Sequence, residues 1–271
     1  MHSIRRAHQT ARAWLALALI VTLVLALLAG LALTVVSTLS SQAGPTDGPQ
    51  EQQSTASASS RPASPAASTQ DPGDELAAQP MLQLAPSAAR PQPLVVEIAG
   101  PPIPLPRASE NTSLVPTGFP RTPEGALAQL AAIDALAFRD LSPAQLRRVH
   151  AWATAPGAVP VEQWTPFVAA SAALEAAGAP EGDAELTSTF TPVAGQIKGS
   201  VGDDFTVVCV LGEWQVTYRD TSRAGAGDCQ RMQWSDGRWW IGAGDQPAYA
   251  PSAWPGSADA VRAGWRALSD A

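Results

Sequence analysis

The feature that most restricts this chain is a run of 27 residues without a charged side chain, residues 13–39. A helix needs about 20 apolar residues to cross the hydrocarbon core of a bilayer, so the run predicts a tilted transmembrane helix. The apolar part of a secretory signal is shorter, at about 7 to 15 residues. Ser41-Gln42-Ala43 resembles a cleavage site, so a cleaved leader is the alternative, but the length favours an uncleaved anchor.

The charges beside this run predict its orientation. Arg5, Arg6 and Arg12 precede it, and the next basic residue after it is Arg61. Because positive charge is retained on the cytoplasmic side, we expect residues 1–12 inside and the bulk of the chain outside. Abundant alanine, proline and arginine with a single lysine are typical of a GC-rich bacterial genome. The membrane is therefore expected to be the bacterial cytoplasmic membrane, crossed by this protein as a single span.

The segment after the anchor is predicted to be a disordered linker, residues 40–92. It is rich in Ser, Ala, Pro, Gln and Thr and contains no aromatic residue, so it cannot bury enough apolar surface to offset its ordering entropy. Residues 93–118 follow as an extended segment, with "PLVVEIAG" as a strand-like run and "PPIPLP" of polyproline character. Residues 119–271 are sufficient for one extracytoplasmic domain.

This domain begins with three helix signals. A hydroxyl side chain that caps the first turn is followed by a proline, which suits the first helical position, in Thr122-Pro123, Ser142-Pro143 and Thr165-Pro166. Apolar residues at helical spacing follow the first signal, namely Leu127, Leu130, Ile133 and Ala137. Gly178 is expected to end the third helix.

After residue 185 the pattern becomes strand-like, in "ELTSTFTPVAGQIKGS", "FTVVCVLGEWQVTY", "CQRMQW" and "RWWIGA". Asp236-Gly237 joins the last two as a tight hairpin. A final helix is predicted over residues 257–268, with Val261, Trp265 and Leu268 on one side. The fold class is therefore α+β, with three helices followed by a curved antiparallel sheet and a C-terminal helix.

Several segments resemble a known family. "GFPRTPEGALAQLAAIDA", "IKGSVGDDFTVVCV" and "DCQRMQWSDGRWWIGAGDQPAYAPSAWPGS" resemble uncharacterised actinobacterial membrane proteins found with integrative conjugative elements. The order of anchor, linker and domain is similar to that of inner-membrane subunits of conjugative type IV secretion channels, whose outer domains have the cone-shaped nuclear-transport-factor-two-like fold. The resemblance implies this fold and no catalytic residue. "LGEW" departs from the continuous strand expected there, which leaves a bulge or break at Gly212 open.

The two cysteines, Cys209 and Cys229, are disulfide candidates because thiols outside a bacterial membrane tend to be oxidised. Their pairing depends on the hairpin between them. A turn near Arg219 places them opposite one another. A turn at residues 224–227 places Cys229 near Asp220 instead, too far from Cys209 for a bridge. The sequence favours the disulfide.

The tryptophans allow two interpretations. Strand alternation puts Trp239 on one face of the sheet and Trp240 on the other. Packing of one face on the helices is expected to involve Trp152, Trp164 and Trp265. The other face is expected to be open. A partner-binding surface or small-ligand pocket in the concave sheet is the second interpretation, formed by Trp214, Trp234, Trp239 and Trp240.

No catalytic, cofactor-binding or metal-binding residue is predicted. His150 is the one histidine expected outside the membrane; it follows two arginines on a helix, and the sequence contains no nucleophile-elbow signature. Two cysteines and this single histidine are too few ligands for a metal site. A carboxylate pair for glycoside chemistry could come from acids that the pattern places at turns or strand ends, namely Asp203, Asp204, Glu213, Asp228 and Asp236. From residue 119 onward, 17 acidic and 11 basic residues give a net charge of −6, which argues against nucleic-acid binding.

The sequence therefore favours a membrane-anchored, non-enzymatic scaffold or accessory subunit of a cell-envelope assembly, and the resemblance implies conjugative transfer. Its expected partners are the membrane and other envelope proteins. The alternative is an extracytoplasmic ligand-binding or hydrolytic domain that uses the cone pocket. A pocket above about 300 Å³ with converging carboxylates would favour this alternative. A filled cone with an exposed apolar edge would favour the scaffold.

Overall fold

The computed structural model describes residues 71–139 and 141–271. The predicted cytoplasmic tail, the predicted transmembrane helix and the first part of the predicted linker lie outside these residues. Among the described residues, no helix is both long enough and apolar enough to cross a bilayer.

The described part is a mixed α+β fold, as predicted. Its helices are α1 (Pro72–Ala78), α2 (Pro123–Ala137), α3 (Pro143–Ala153), α4 (Thr165–Ala177) and α5 (Ala258–Arg262), with short 3₁₀ turns at Pro86–Ala89 and Val161–Gln163. Its strands are β1 (Ile103–Leu105), β2 (Thr187–Val201), β3 (Phe205–Tyr218), β4 (Asp220–Ser235), β5 (Arg238–Ile241) and β6 (Arg266–Asp270).

One six-stranded sheet carries the fold, in the order β1-β6-β2-β3-β4-β5. All neighbours are antiparallel except β1 and β6, which run parallel. Strands β2, β3 and β4 are 15, 14 and 16 residues long. Long paired strands accumulate right-handed twist, and the sheet curls into a half-barrel.

The hairpin between β3 and β4 turns at Arg219, whose φ of 62° is left-handed, and Tyr218 pairs with Asp220 across it. The alternative turn at residues 224–227 is wrong, because these residues pair with β3 inside β4. The hairpin between β4 and β5 is confirmed. Its two central residues, Asp236 and Gly237, both have positive φ, as a type I′ turn requires.

Strand β3 runs without interruption through Gly212, which pairs with Pro192 on one side and Ala226 on the other. The irregularity considered for this position lies instead on β2, between Pro192 and Ala194. The ring of Phe190 occupies the space that a Cβ atom at residue 212 would fill. Glycine is therefore required there by close packing, not by a break in the strand.

The three predicted helices are confirmed as α2, α3 and α4, and they cover one face of the sheet. Thr122 and Ser142 accept hydrogen bonds from backbone amides in the first turns of α2 and α3. Helix α4 begins one residue earlier than its capping signal implied, with Trp164 at the N-cap, and ends at Gly178 with a φ of 62°. The shared core contains buried residues of α2 and the sheet, including Leu127, Leu130, Ile133, Val208, Val210, Met232, Trp239 and Ile241.

The second face of the sheet is covered, not open as the tryptophan pattern suggested. Residues of the end of the predicted linker and of the chain after β5 pack there on the two cysteines, including Met81, Leu84, Ala253 and Trp265. Trp265 was predicted to pack with the α-helical layer, and it lies instead on the opposite face. Its Nε1 donates a hydrogen bond to the carbonyl of Pro251 at 2.9 Å.

The disorder predicted for residues 71–92 is wrong. Asp71 caps α1 by accepting a hydrogen bond from the amide of Gly73 at 2.7 Å, and Leu76 and Ala77 pack against Val207 of β3. The segment has too little apolar surface to fold alone. It gains order because the sheet offers it a preformed apolar face.

Polar contacts fix the same segment on the sheet. The ammonium of Lys198 donates hydrogen bonds to the carbonyls of Ala77 and Gln79. The guanidinium of Arg231 lies 2.6 Å from a carboxylate oxygen of Asp74, with the arginine side chain only 8% exposed. These bonds satisfy the last carbonyls of α1 and join it to β2 and β4.

Truncating Leu76 to alanine is expected to lower the free energy of unfolding by about 2 kcal/mol, because the side chain is 9% exposed and touches the backbone of Gly199. Leu82→Ala is the matched control. That leucine is 45% exposed, and we expect a change below about 0.5 kcal/mol. Chemical denaturation measures both changes. Equal behaviour of the two variants would contradict the docking of α1.

One predicted strand and one predicted helix at the edge of the sheet also differ from the structure. "PLVVEIAG" forms no strand, and the edge strand is β1, inside the segment predicted as polyproline. The predicted helix over residues 257–268 ends at Arg262, because Gly264 adopts a left-handed φ of 88°. The remaining residues form β6, which pairs with both β1 and β2.

Candidate functional site

The predicted disulfide is present between Cys209 and Cys229, which pair directly across β3 and β4. Both residues are buried, at 0% and 2% exposure, on the face opposite the α2–α4 layer. They pack against Leu211, Ala253 and Trp265. The cysteine of the sequence "GDCQRMQW" is thus a structural crosslink under the covering segments.

The four tryptophans considered as a pocket do not come together. Trp214 pairs with Ala224 of β4, ten residues from Trp234, which is about 30 Å along the strand. Only Trp234 and Trp239 are in contact, edge to face, with ring centres 5.4 Å apart. Trp240 lies on the opposite face, where the guanidinium of Arg238 stands 3.3 Å from its ring centre.

Three of these tryptophans donate their indole N–H to an acceptor inside the fold. Trp214 donates to the hydroxyl of Ser188 at 2.9 Å, and Trp239 donates to the carbonyl of Pro120 at 2.9 Å. Trp240 donates to the carbonyl of Ser235 at 3.1 Å. Their bonding indicates packing roles.

A cleft of about 400 Å³ lies between the start of α2 and the β2–β3 turn. Its lining is Arg121, Thr122, Pro123, Ser200, Gly202, Asp203, Phe205, Thr206 and Trp239. Trp239 is the one predicted tryptophan in it, and Asp203 the one carboxylate. Arg121 is engaged with Asp204 at 2.6 Å. The cleft exceeds the volume set for a ligand pocket, but carboxylates do not converge in it.

The other candidate residues have structural partners. Glu213 accepts a hydrogen bond at its Oε1 from Nε of Arg223 on the neighbouring strand, at 2.7 Å. Asp236 forms the β4–β5 turn. The Nε2 atom of His150 lies 2.9 Å from the carbonyl oxygen of Val159, and its ring tilts on Trp164. These contacts account for each side chain without a catalytic role.

Asp228 was expected at a turn or strand end, and this is wrong, since it lies in the middle of β4 and faces the α-helical layer. It is 1% exposed, and Asp134 of α2, 0% exposed, lies near enough for the two carboxyl groups to repel each other. Gln230 donates from Nε2 to both carboxylate oxygens of Asp228, at 2.8 and 3.1 Å. The hydroxyl of Thr165, at the start of α4, also lies beside Asp228. We call these four residues the acid cluster.

The acid cluster is short of hydrogen-bond donors. Among the described residues, both carboxyl oxygens of Asp134 and Oε1 of Gln230 are buried without a hydrogen-bond partner. None of the ion pairs formed by the described residues includes either aspartate. Nearly all buried polar atoms in proteins have a partner, so three unpaired oxygens in one cluster require an explanation.

Burial dominates the ionisation of both aspartates. It raises the pKa of Asp228 to about 7, against hydrogen bonds from Gln230, the Cys229 backbone and Thr165 that favour the charged form. Burial, followed by repulsion from Asp228, holds the pKa of Asp134 well above its usual range. The two carboxyl groups therefore resist being charged together.

The sequence contains one signal that marks Asp134 as unusual. Asp134 continues the spacing of Leu127 and Leu130 and precedes Ala137 by three positions, so it falls on the apolar stripe of α2. An acid on such a stripe is either paired or functional. Its partner on β4 is visible only once the strands are in register.

Comparisons with family models, with curated proteins and with solved structures found no match to this chain.

Proposed function

We propose that this protein is a non-enzymatic scaffold or accessory subunit of a bacterial cell-envelope assembly. Residues 13–39 anchor it in the cytoplasmic membrane and the α+β domain lies outside. The observation that carries the proposal is a row of exposed apolar side chains before β1. Leu94, Val96 and Ile98 are 73%, 94% and 73% exposed. Water-exposed apolar side chains at alternate positions suit burial by another protein.

The backbone beside this row is available to a partner. Within the described residues, residues 93–99 make one backbone–backbone hydrogen bond, from the amide of Val95 to the carbonyl of Gly256 at 2.9 Å. A segment whose amides and carbonyls make so few backbone bonds can accept an added strand. The partner we infer is an envelope protein that supplies an extended apolar segment, which covers the row and pairs with this backbone.

The packed interior supports a contact role over a catalytic one. The space between α2 and the sheet is filled by side chains that are at most 2% exposed, such as Leu130, Trp164 and Met232. The converging carboxyl groups lie inside this packed layer and not in the 400 Å³ cleft. A hydrolytic domain needs carboxylates that substrate can reach.

Site-specific photocrosslinking in the bacterium that carries the protein tests this proposal. A photoreactive amino acid is placed at Leu94, Val96 or Ile98 of the full chain, and at Thr221, an exposed position at the start of β4, as control. We expect one discrete heteromeric adduct at all three row positions and none at Thr221. The variant Val96→Asp should remove the adduct formed from Ile98 without lowering the amount of protein.

Other outcomes would overturn the proposed contact. Adducts of the chain with itself would assign the row to a dimer, and equal labelling at Thr221 would show random collision. If the partner belongs to a conjugation channel, Val96→Asp should also lower transfer frequency. Loss of transfer without loss of the adduct would place the function on another surface.

A further inference from the structure

We propose that the acid cluster is a site for a hard divalent metal cation, with Asp134 and Asp228 as charged ligands and Gln230 and Thr165 as neutral ones. The four residues come from α2, β4 and the start of α4. They offer carboxylate, amide and hydroxyl oxygens and no sulfur or imidazole nitrogen. This donor set suits Ca²⁺ or Mg²⁺ and not zinc or copper.

The unpaired atoms of the cluster point to a cation. Gln230 is 1% exposed, and its Nε2 is held by the carboxylate of Asp228, which fixes the amide beside the acids. Its Oε1 is left without a donor, as are both carboxyl oxygens of Asp134. Oxygens that all lack donors are satisfied together by one positive ion.

Charge leads to the same conclusion. The two aspartates can carry two negative charges between them. The nearby basic side chains do not balance these charges, because each of them has another partner. Arg231 lies on the other face of the sheet with Asp74, and Arg238 donates to the carbonyl of Trp152. His150 is held by Val159. A divalent ion would neutralise both carboxylates at once.

Calcium fits this location better than magnesium. Mg²⁺ retains several of its waters, whereas Ca²⁺ accepts carbonyl and hydroxyl oxygens directly in irregular geometry. The cluster lies between packed elements, with both aspartates at most 1% exposed. We therefore expect Ca²⁺ to bind as the domain folds and to remain bound until it opens.

The test uses the full-length chain in detergent, stripped of metal with EDTA and refolded at pH 8 with or without calcium chloride. Saturating Ca²⁺ is expected to raise the unfolding midpoint by about 5 to 10 °C, and Mg²⁺ by less. Tb³⁺ should give tryptophan-sensitised emission, because Trp164 precedes the ligand Thr165 in the chain. Asp134→Asn and Asp228→Asn should abolish both effects, whereas the matched control Asp236→Asn, at an exposed turn, should retain them.

Two results would overturn the site. No calcium shift and no sensitised emission in the parent chain would mean that the acids are compensated by a shared proton alone. A shift that survives both aspartate variants would place the metal elsewhere. Because the crosslinking row lies on residues 93–99, failure of the metal site leaves the proposed contact untouched, and the reverse also holds.

Discussion

Replacing Asp228 with asparagine is expected to raise the free energy of unfolding of the metal-free chain at pH 8 by about 4 kcal/mol. The aspartate is 1% exposed, and burial raises its pKa from 3.8 to about 7. At pH 8 the native state must hold this group charged in the packed layer, and each unit of pKa difference corresponds to about 1.4 kcal/mol. Asparagine has nearly the same shape and keeps an oxygen for Gln230.

The sign of the effect follows from proton binding. Between pH 4 and pH 7 the folded state binds more protons at Asp228 than the unfolded state, so stability falls as pH rises. The stability is fully present below the unfolded pKa of 3.8 and is lost by the time pH has passed about 7. Asp134, whose pKa burial also raises, adds to the loss in the same direction.

Urea denaturation of both chains in EDTA, at pH 4 and pH 8, measures this effect. The asparagine variant should be more stable than the parent at pH 8 and nearly equal to it at pH 4. Asp236→Asn, in the exposed turn of the same sheet, should follow the parent at both pH values. A parent whose stability is independent of pH, or an asparagine variant that is weaker at pH 8, would contradict the buried-acid argument.

Local signals in the sequence were sufficient for much of the fold. Thr122 and Ser142 marked helix starts because their hydroxyls cap the adjacent turns. Asp236-Gly237 marked a hairpin because both residues tolerate positive φ. The cysteine pairing was predictable once Arg219 was considered as the turn, since strand register then fixes which residues are opposite.

Features set by distant contacts were not predictable from local patterns. Residues 71–92 carry few large apolar side chains, and α1 is ordered by Val207, Lys198 and Arg231, which lie more than 100 positions away. Apolar groups that are far apart in sequence must come into contact before the segment is ordered. The composition of the segment alone does not reveal such long-range contacts.

The acid cluster was missed for a related reason. Asp134 was visible as an acid on the apolar stripe of α2, but Asp228 was assigned to a strand end because the long course of β4 was not anticipated. A buried pair exists only through the register that places β4 against α2. The chemistry of the site is therefore a property of the tertiary fold, although each residue can be found in the sequence.

Removing the disulfide is expected to lower the free energy of unfolding by about 3 kcal/mol, because the bond closes a loop between residues separated by 20 positions. The closed loop limits the conformations of the unfolded chain, and this limit is lost when Cys209 and Cys229 are both replaced by serine. The cysteines also contact Trp265 and Ala253, so the covering segment of the second face should loosen before the sheet does.

Denaturant titration of the parent, of the double-serine variant and of the double-alanine variant separates these contributions. Alanine avoids a buried hydroxyl, so it reports loss of the crosslink with little added polarity, and serine should cost more. Thiol titration of the unreduced, denatured parent should detect no free thiol, because Cys209 and Cys229 are the only cysteines of the chain. Two free thiols, together with equal stability of parent and double-alanine chains, would mean that the sheet holds its register without the bridge.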